Sequence, residues 1–332
     1  MHLIMLLESL YSNQTAVVKT ELGETEEFRL CKGVRQGCIL SPILFNIYAE
    51  RIIRDIFDDW HGGISFGGRK VTNLRYADDT TILASSKREL SRGLSMIKTA
   101  SEAAGLFLNL KKTKVMTTGC MSNFDLQGEN IEVVNSFTFL GAKIESSGQH
   151  EDEIRRRIAM GRSATLRLAK IWKDRGISVQ TKTRLVQTLV FPIVLYGAET
   201  WIVRKADLKR IDAFELWCWR RMLRIPWTAR RTNQWVLSKL TTRPLQTKVV
   251  TSALRYFGHT CRRFSSLEKD VMFGHREGTR RRGRPRKSWL KTLQEATGLT
   301  LDHMRTAAAD REEWKRIQGV IAESRTRLDG TR

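Results

Sequence analysis

Cysteine is sparse in this chain. Cys31, Cys38, Cys120, Cys218 and Cys261 are the five among 332 residues, odd in number and widely scattered. No Cys-x-x-Cys pair occurs, and His259 near Cys261 has no further ligand at metal spacing. Neither a disulfide framework nor a zinc finger is therefore indicated, and a reducing compartment fits. Long apolar runs are missing as well. Met1 to Leu7 is apolar but lacks a basic n-region and a small-residue cleavage site, which argues against a signal peptide. Leu185 to Ala198 is interrupted by Gln187 and Pro192 and is too short to span a bilayer. The expectation is an intracellular protein, nuclear or cytoplasmic, without a membrane partner.

Acidic residues are scarce in one half only. Residues 1–150 carry 17 Lys+Arg against 17 Asp+Glu, whereas residues 151–332 carry 41 against 18, so the whole +23 excess lies in the second half. Charge segregated in this way points to a polyanion partner for the C-terminal portion, with nucleic acid favoured over a merely solvated basic surface.

What is present is a pair of adjacent carboxylates in an apolar setting. Tyr76-Ala77-Asp78-Asp79 is flanked by Val71-Thr72-Asn73-Leu74-Arg75 and Thr80-Thr81-Ile82-Leu83-Ala84, both suited to strands. Tandem aspartates in mid-strand would send one side chain into the core, but at a hairpin tip both can face a cleft. Two carboxylates held that close repel unless a cation lies between them, and hard oxygen ligands favour Mg²⁺. A two-metal site for nucleotidyl transfer is one reading. A solvated Asp-Asp turn is the other.

Around this hairpin the chain reads as helices alternating with short strands. Residues 3–10 are helical, and Thr15–Thr20 and Glu27–Leu30 form strands. Gly33 and Gly37 bracket a loop where backbone can approach a ligand. Ser41 caps a helix whose Leu44, Ile47, Tyr48, Ile52 and Ile56 share a face and which stops near Trp60–Gly63. Leu90, Leu94, Ile97, Ser101 and Ala104 mark a second helix ending at Gly105. Strands follow at Lys114–Thr117 and Phe137–Ile144. Beyond Gly148 the character becomes helical and basic. Ile154, Ile158, Gly161, Thr165, Leu168 and Trp172 form an inner stripe, with Arg155, Arg156, Arg157, Arg162 and Arg167 outside, and further helices fit 179–197 and 206–224.

Gly33-Val34-Arg35-Gln36-Gly37-Cys38-Ile39-Leu40-Ser41-Pro42-Ile43-Leu44-Phe45, followed at this distance by Tyr76-Ala77-Asp78-Asp79, resembles motifs B and C of reverse transcriptases. The fuller resemblance is to the enzymes of LINE-type, non-LTR retrotransposons. It covers most of the chain and is densest from Gly33 to Ile144. It implies an α+β fold: a partial reverse-transcriptase palm (antiparallel sheet with packed helices), then a helical, basic thumb and C-terminal region. The corresponding divisions are 1–147, 148–230 and 231–332.

The resemblance also assigns roles. Asp78 matches the metal-binding aspartate of motif C, with Asp79 beside it, implying a Mg²⁺ site. Arg35, Gln36 and Gly37 match positions that line the template and incoming base pair. Tyr76 would pack near the primer end, although a tyrosine buried in the hairpin is compatible too. Gly105 to Lys114 resembles motif D, in which Lys112 matches a lysine proposed to protonate the leaving pyrophosphate; a solvated lysine cluster is the alternative. Phe139-Leu140-Gly141 resembles motif E, the primer grip, and equally suits a core strand with an edge glycine. Tyr196 to Trp201 and Trp217-Cys218-Trp219-Arg220-Arg221 resemble thumb and trailing segments, where arginine and tryptophan could grip phosphate and stack on bases. Arg282-Gly283-Arg284-Pro285 resembles an AT-hook core, which suits a narrow minor groove, and equally a polybasic loop or nuclear-localisation signal.

The family's motif A aspartate and its fingers belong upstream of motif B, and only Glu8, Glu21, Glu24, Glu26 and Glu27 precede Gly33 as acids. The expectation is a fragment of an RNA-directed DNA polymerase acting on an RNA template, a DNA primer and deoxynucleotides. Its two-metal site would be incomplete and it would show little or no synthesis as an isolated chain. A non-catalytic nucleic-acid-binding protein using the basic half, or a group II intron-type enzyme sharing Tyr-Ala-Asp-Asp, are the alternatives.

Overall fold

A computed structural model describes residues 2–57, 60–240, 242–274 and 286–328. The chain is α+β and divides into two compact units, Met1–Ile64 with Val71–Leu108, and Ser65–Lys70 with Asn109–Arg332.

In the first unit, α1 (His2–Tyr11) precedes two small antiparallel ribbons. One pairs β1 (Thr15–Ala16) with β4 (Phe28–Arg29) and the other pairs β2 (Lys19–Thr20) with β3 (Gly23–Glu24). Helix α2 (Ser41–Phe57) starts at a serine followed by proline, whose missing N–H costs nothing at a helix start. β5 (Ile64–Phe66) and β6 (Arg69–Val71) lie mostly in the Ser65–Lys70 segment that belongs to the second unit, and the chain then returns to the first with the hairpin of β7 (Asn73–Tyr76) and β8 (Asp79–Ile82). Helix α3 (Lys87–Ala103) is capped by Ser86, whose hydroxyl accepts from the Glu89 N–H, and it ends before Gly105 at φ +75°. The core of this unit is small: Ile53, Ile56 and Ile97 pack with Ile52, Phe57, Ile82, Met96 and Ala100. Trp60 stands edge-on to Phe57 at 5.1 Å. Of the stripe expected on α2, Ile56 is buried while Ile47 and Tyr48 are exposed. The buried face is rotated toward Ile53, because α3 covers only that side.

The second unit carries ribbon β9 (Phe124–Leu126) with β10 (Glu129–Ile131), and hairpin β11 (Ser136–Phe139) with β12 (Ala142–Glu145). Helices α4 (Glu151–Arg167), α5 (Ala169–Lys173), α6 (Val179–Leu185), α7 (Phe191–Val194), α8 (Lys205–Met222), α9 (Asn233–Ser238), α10 (Leu245–Arg262), α11 (Leu267–Phe273), α12 (Trp289–Thr297), α13 (Leu301–Ala309) and α14 (Arg311–Leu328) follow. One core gathers Ile154, Trp172, Val190, Phe191, Phe214 and Trp219; a second gathers Leu254, Phe257, Leu293, Met304 and Trp314. Each fully buried large apolar side chain contributes about 1.5–3 kcal/mol of transfer free energy, so these two clusters dominate the stability of the unit.

Three expectations are corrected. The antiparallel pairing holds, but in place of one sheet there are, among the described residues, six separate two-stranded ribbons. None of their strands exceeds four residues, so each pair satisfies only its own few backbone groups. The strand expected at Lys114–Thr117 reduces to a single bridge between Val115 and Val133. Finally, Arg157 does not decorate the outside of α4. It is buried, because Glu153 and a carbonyl of the β11–β12 turn take up its donors.

Candidate active site

Asp78 and Asp79 sit where the sequence put them, at the exposed tip of the β7–β8 hairpin. Tyr76 pairs in register with Asp79, leaving Ala77 and Asp78 as the turn. Ala77 adopts φ +52°. An L-residue with a Cβ in this region is strained by about 1–2 kcal/mol, a departure from local preference of the kind that clusters at functional sites. Tyr76 is 66% exposed, which removes the buried-tyrosine alternative. The phenol is free to meet a ligand.

The hairpin is anchored from its base. Arg75 Nη2 lies 2.6 Å from Glu50 Oε2 on α2, and Arg54 holds the other Glu50 oxygen at 3.2 Å. This ion pair ties the carboxylate-bearing hairpin to the helix that begins directly after the Gly33–Gly37 loop. Glu50 was not singled out in the sequence, since nothing local marks a helix acid as the partner of a strand arginine 25 positions away.

Within that loop Gly33 and Gly37 take φ +96° and +84°, values that admit glycine readily. The Arg35 guanidinium donates to the Leu10 carbonyl of α1 at 3.1 Å, and Tyr11 meets the Ser41 hydroxyl at 3.3 Å, so α1 braces the loop. Gln36 and Gly37 are exposed. Hydrogen bonds from the Leu40 backbone and the Ser41 hydroxyl hold the Cys38 thiol below its ordinary pKa, with Arg35 adding to the effect. Burial instead raises the Cys218 thiol to about 11. Thiolate is the reactive form. Mild alkylation near pH 7.5, read by peptide mass spectrometry, should therefore modify Cys38 well before Cys218, and a ligand seated on the loop should slow Cys38 alone.

The second unit holds Lys112 and the Phe139–Gly141 segment. Lys112 is exposed, its backbone N–H accepted by Asn109. Leu140 and Gly141 form the β11–β12 turn with φ +47° and +78°, the two positive values of a type I′ hairpin. Glycine meets that demand easily, and leucine does so at a cost. The turn is clamped from three directions. Tyr196 donates its hydroxyl to the Leu140 carbonyl at 2.7 Å, Arg156 Nη2 donates to the Gly141 carbonyl at 2.6 Å, and Arg157 donates to the same oxygen. The Arg157 guanidinium also lies over the Tyr196 ring at 4.3 Å. Both arginines are held by Glu153, 1% exposed, which accepts from Arg156 at 2.7 Å, from Arg157 at 2.6 Å and from the Lys143 N–H at 3.0 Å. The doublet Arg156-Arg157 three and four residues after Glu153 was a readable signal for one carboxylate serving two arginines. The reading that placed both outside overlooked it.

Two carboxylates can supply part of a Mg²⁺ coordination set, since that ion keeps waters and takes substrate phosphate oxygens as further ligands. Among the described residues no group of three His, Cys, Asp or Glu gathers as a metal cluster. Arg282, Gly283, Arg284 and Pro285 lie outside the described residues. No helix among the described residues is long and apolar enough to cross a membrane.

Residues 3–144 match the family described as reverse transcriptase (RNA-dependent DNA polymerase). A transposon-derived protein of Caenorhabditis elegans is 26% identical over 267 residues, 74% of this chain and 95% of that protein. The RNA-directed DNA polymerase from the mobile element jockey of Drosophila melanogaster is 22% identical over 69% of this chain and 26% of its own length. A Pol polyprotein of the type-1 retrotransposable element R2 of Popillia japonica is 26% identical over 37% of this chain and 22% of the polyprotein. The chain thus spans nearly all of the nematode protein and a minor part of the two retrotransposon relatives. Residues 3–144, a span that holds the paired aspartates and the glycine loop, match the reverse transcriptase family, and the retrotransposon relatives support a reverse transcriptase of non-LTR type for that part of the chain.

Proposed function

We propose that this chain is the motif B to E portion of an RNA-directed DNA polymerase that extends a DNA primer on an RNA template. The observation that carries the proposal is the exposed Asp78–Asp79 pair on a strained hairpin, braced through Arg75 and Glu50 to the helix behind the Gly33–Gly37 loop. In this reading Asp78 and Asp79 hold Mg²⁺, which when bound neutralises charge on the attacked phosphate and on the attacking and leaving oxygens. Arg35, Gln36 and Gly37 line the template and incoming base. Tyr76 sits near the primer end, Lys112 protonates the leaving pyrophosphate, and Phe139, Leu140 and Gly141 grip the primer strand. Residues 1–147 are palm, 148–230 thumb-like and 231–332 a basic nucleic-acid-binding region.

Two metal ions need more carboxylate than one hairpin provides. Little or no synthesis is therefore expected from the chain by itself, although it should bind an RNA–DNA heteroduplex with strong salt dependence. The basic second half favours a rival in which binding is the whole function. The two separate on Asp78 in a chain supplied with a motif A segment, where Asp78→Ala should abolish extension if the first reading holds and change nothing if the rival does. Filter binding should give the same heteroduplex affinity for the wild type and Asp78→Ala. Mg²⁺-dependent primer extension by the isolated chain, abolished by Asp78→Ala, would show that the site is complete after all.

A further inference from the structure

From Leu216 to Leu267 the sequence holds eleven Lys+Arg and not one Asp or Glu. Within this stretch a short loop follows α8. Pro226 leads into a single 3₁₀ turn, Trp227–Ala229, and both Arg224 and Arg230 take left-handed backbone conformations, φ +56° and +46°. The loop is not a loose tail. The Ile225 N–H donates to the Arg220 carbonyl at 3.0 Å, and Arg220 Nη2 reaches across to the Arg231 carbonyl at 2.8 Å and to Asn233 Oδ1 at 3.0 Å. Leu223 and Ile225 pack on the main core of the unit. Thr232 then caps α9.

This anchored loop displays Trp227 at 91% exposure, and among the described residues no ring or cation lies against its indole. The neighbouring Trp235, by contrast, has two cations against its ring, Arg231 at 4.8 Å and Lys239 at 5.4 Å. An indole left bare on a rigid loop pays hydration cost in the free protein. Arginines flank it on both sides in sequence, and the basic, acid-free stretch of chain that carries it suits a phosphate backbone. Base faces inside a duplex are covered by their neighbours, whereas an unpaired base offers one to an aromatic ring.

We propose that Trp227 is a base-stacking site for single-stranded nucleic acid, with Arg224, Arg230 and Arg231 holding the flanking phosphates. The site does not depend on the polymerase reading and would stand if Asp78 proved irrelevant.

The test measures anisotropy of the full chain binding fluorescein-labelled dT20, rU20 and a 20-base-pair DNA duplex, at several salt concentrations. Trp227→Ala should weaken single-strand binding about tenfold, leave the salt slope unchanged and spare the duplex. Trp227→Phe should recover most of the loss, and Arg230→Ala should lower the slope by about one. A matched urea midpoint for Trp227→Ala separates lost stacking from lost folding. A loss on either single strand supports the site, and the more tightly bound strand identifies its source as DNA or RNA. Unchanged affinity for both single strands, or an equal loss on the duplex, would overturn the assignment.

Discussion

Replacing Glu153 by alanine should cost about 3–5 kcal/mol of stability, the penalty for stranding a buried charge. Glu153 and Arg157 are both buried, and Arg157 would lose the partner that neutralises it. Urea denaturation followed by circular dichroism should show the midpoint falling at nearly constant slope. Glu153→Gln should fall between, since an amide can still accept one of the arginine bonds but carries no charge. The consequence reaches the Leu140–Gly141 turn, because both guanidiniums that hold the Gly141 carbonyl are positioned by this one carboxylate. Faster amide exchange at 140–143 in Glu153→Gln, under conditions where the rest of the unit stays folded, would confirm that route. The pKa of Glu153 adds a check. Burial alone would raise it, but hydrogen bonds from Arg156, Arg157 and the Lys143 N–H outweigh burial and leave it lowered. A lowered folded value means that this contribution is present above the ordinary carboxylate range and is lost as pH falls through the folded pKa.

Glu215 should give the opposite slope. It is buried between α8 and α10, accepting from the Leu245 N–H at 2.6 Å and from Trp219 Nε1 at 3.1 Å. Burial pushes its pKa from 4.5 to about 7 against those two hydrogen bonds. The unfolded chain then binds fewer protons than the folded one between these values, so stability is full below about 4.5 and declines as pH rises through 7. The drop is on the order of 3 kcal/mol at 1.36 kcal/mol per unit. His150, whose pKa is lowered by burial, works the other way in part of this window. It is common to the wild type and Glu215→Gln, so the difference between their stability profiles isolates Glu215. That difference should grow in favour of the glutamine variant from pH 5 to 7.5. Parallel profiles would remove Glu215 as the cause.

Several parts of this structure were written locally in the sequence. Of the expected inner stripe, Ile154, Ile158, Gly161 and Thr165 on α4 are buried as spaced, since helical period alone decides which side chains share a face. Leu168 at the helix end is half-buried, and Trp172 is buried from the separate helix α5. Gly105 ends α3 as expected, because cap chemistry is local too. The Asp78–Asp79 hairpin was legible for the same reason. What could not be read depended on partners distant in sequence. Arg157 is internal only because Gly141 and Glu153 receive it. The segment 179–197, read as one helix, opens into a π turn at Val186–Val190 just before Pro192. Proline has no N–H for the preceding turn, and the wider turn accommodates that gap. The single palm sheet failed as an expectation because alternation identifies strands but not which edges meet.

The most direct measurement places this chain behind the fingers and motif A segment of a related non-LTR polymerase and follows extension of a DNA primer on an RNA template. The fusion should synthesise DNA with Mg²⁺, and Asp78→Ala should reduce the rate by about a thousandfold while leaving heteroduplex binding unchanged. Synthesis that survives Asp78→Ala would contradict the assignment of the Tyr76–Asp79 hairpin as the carrier of the catalytic carboxylate.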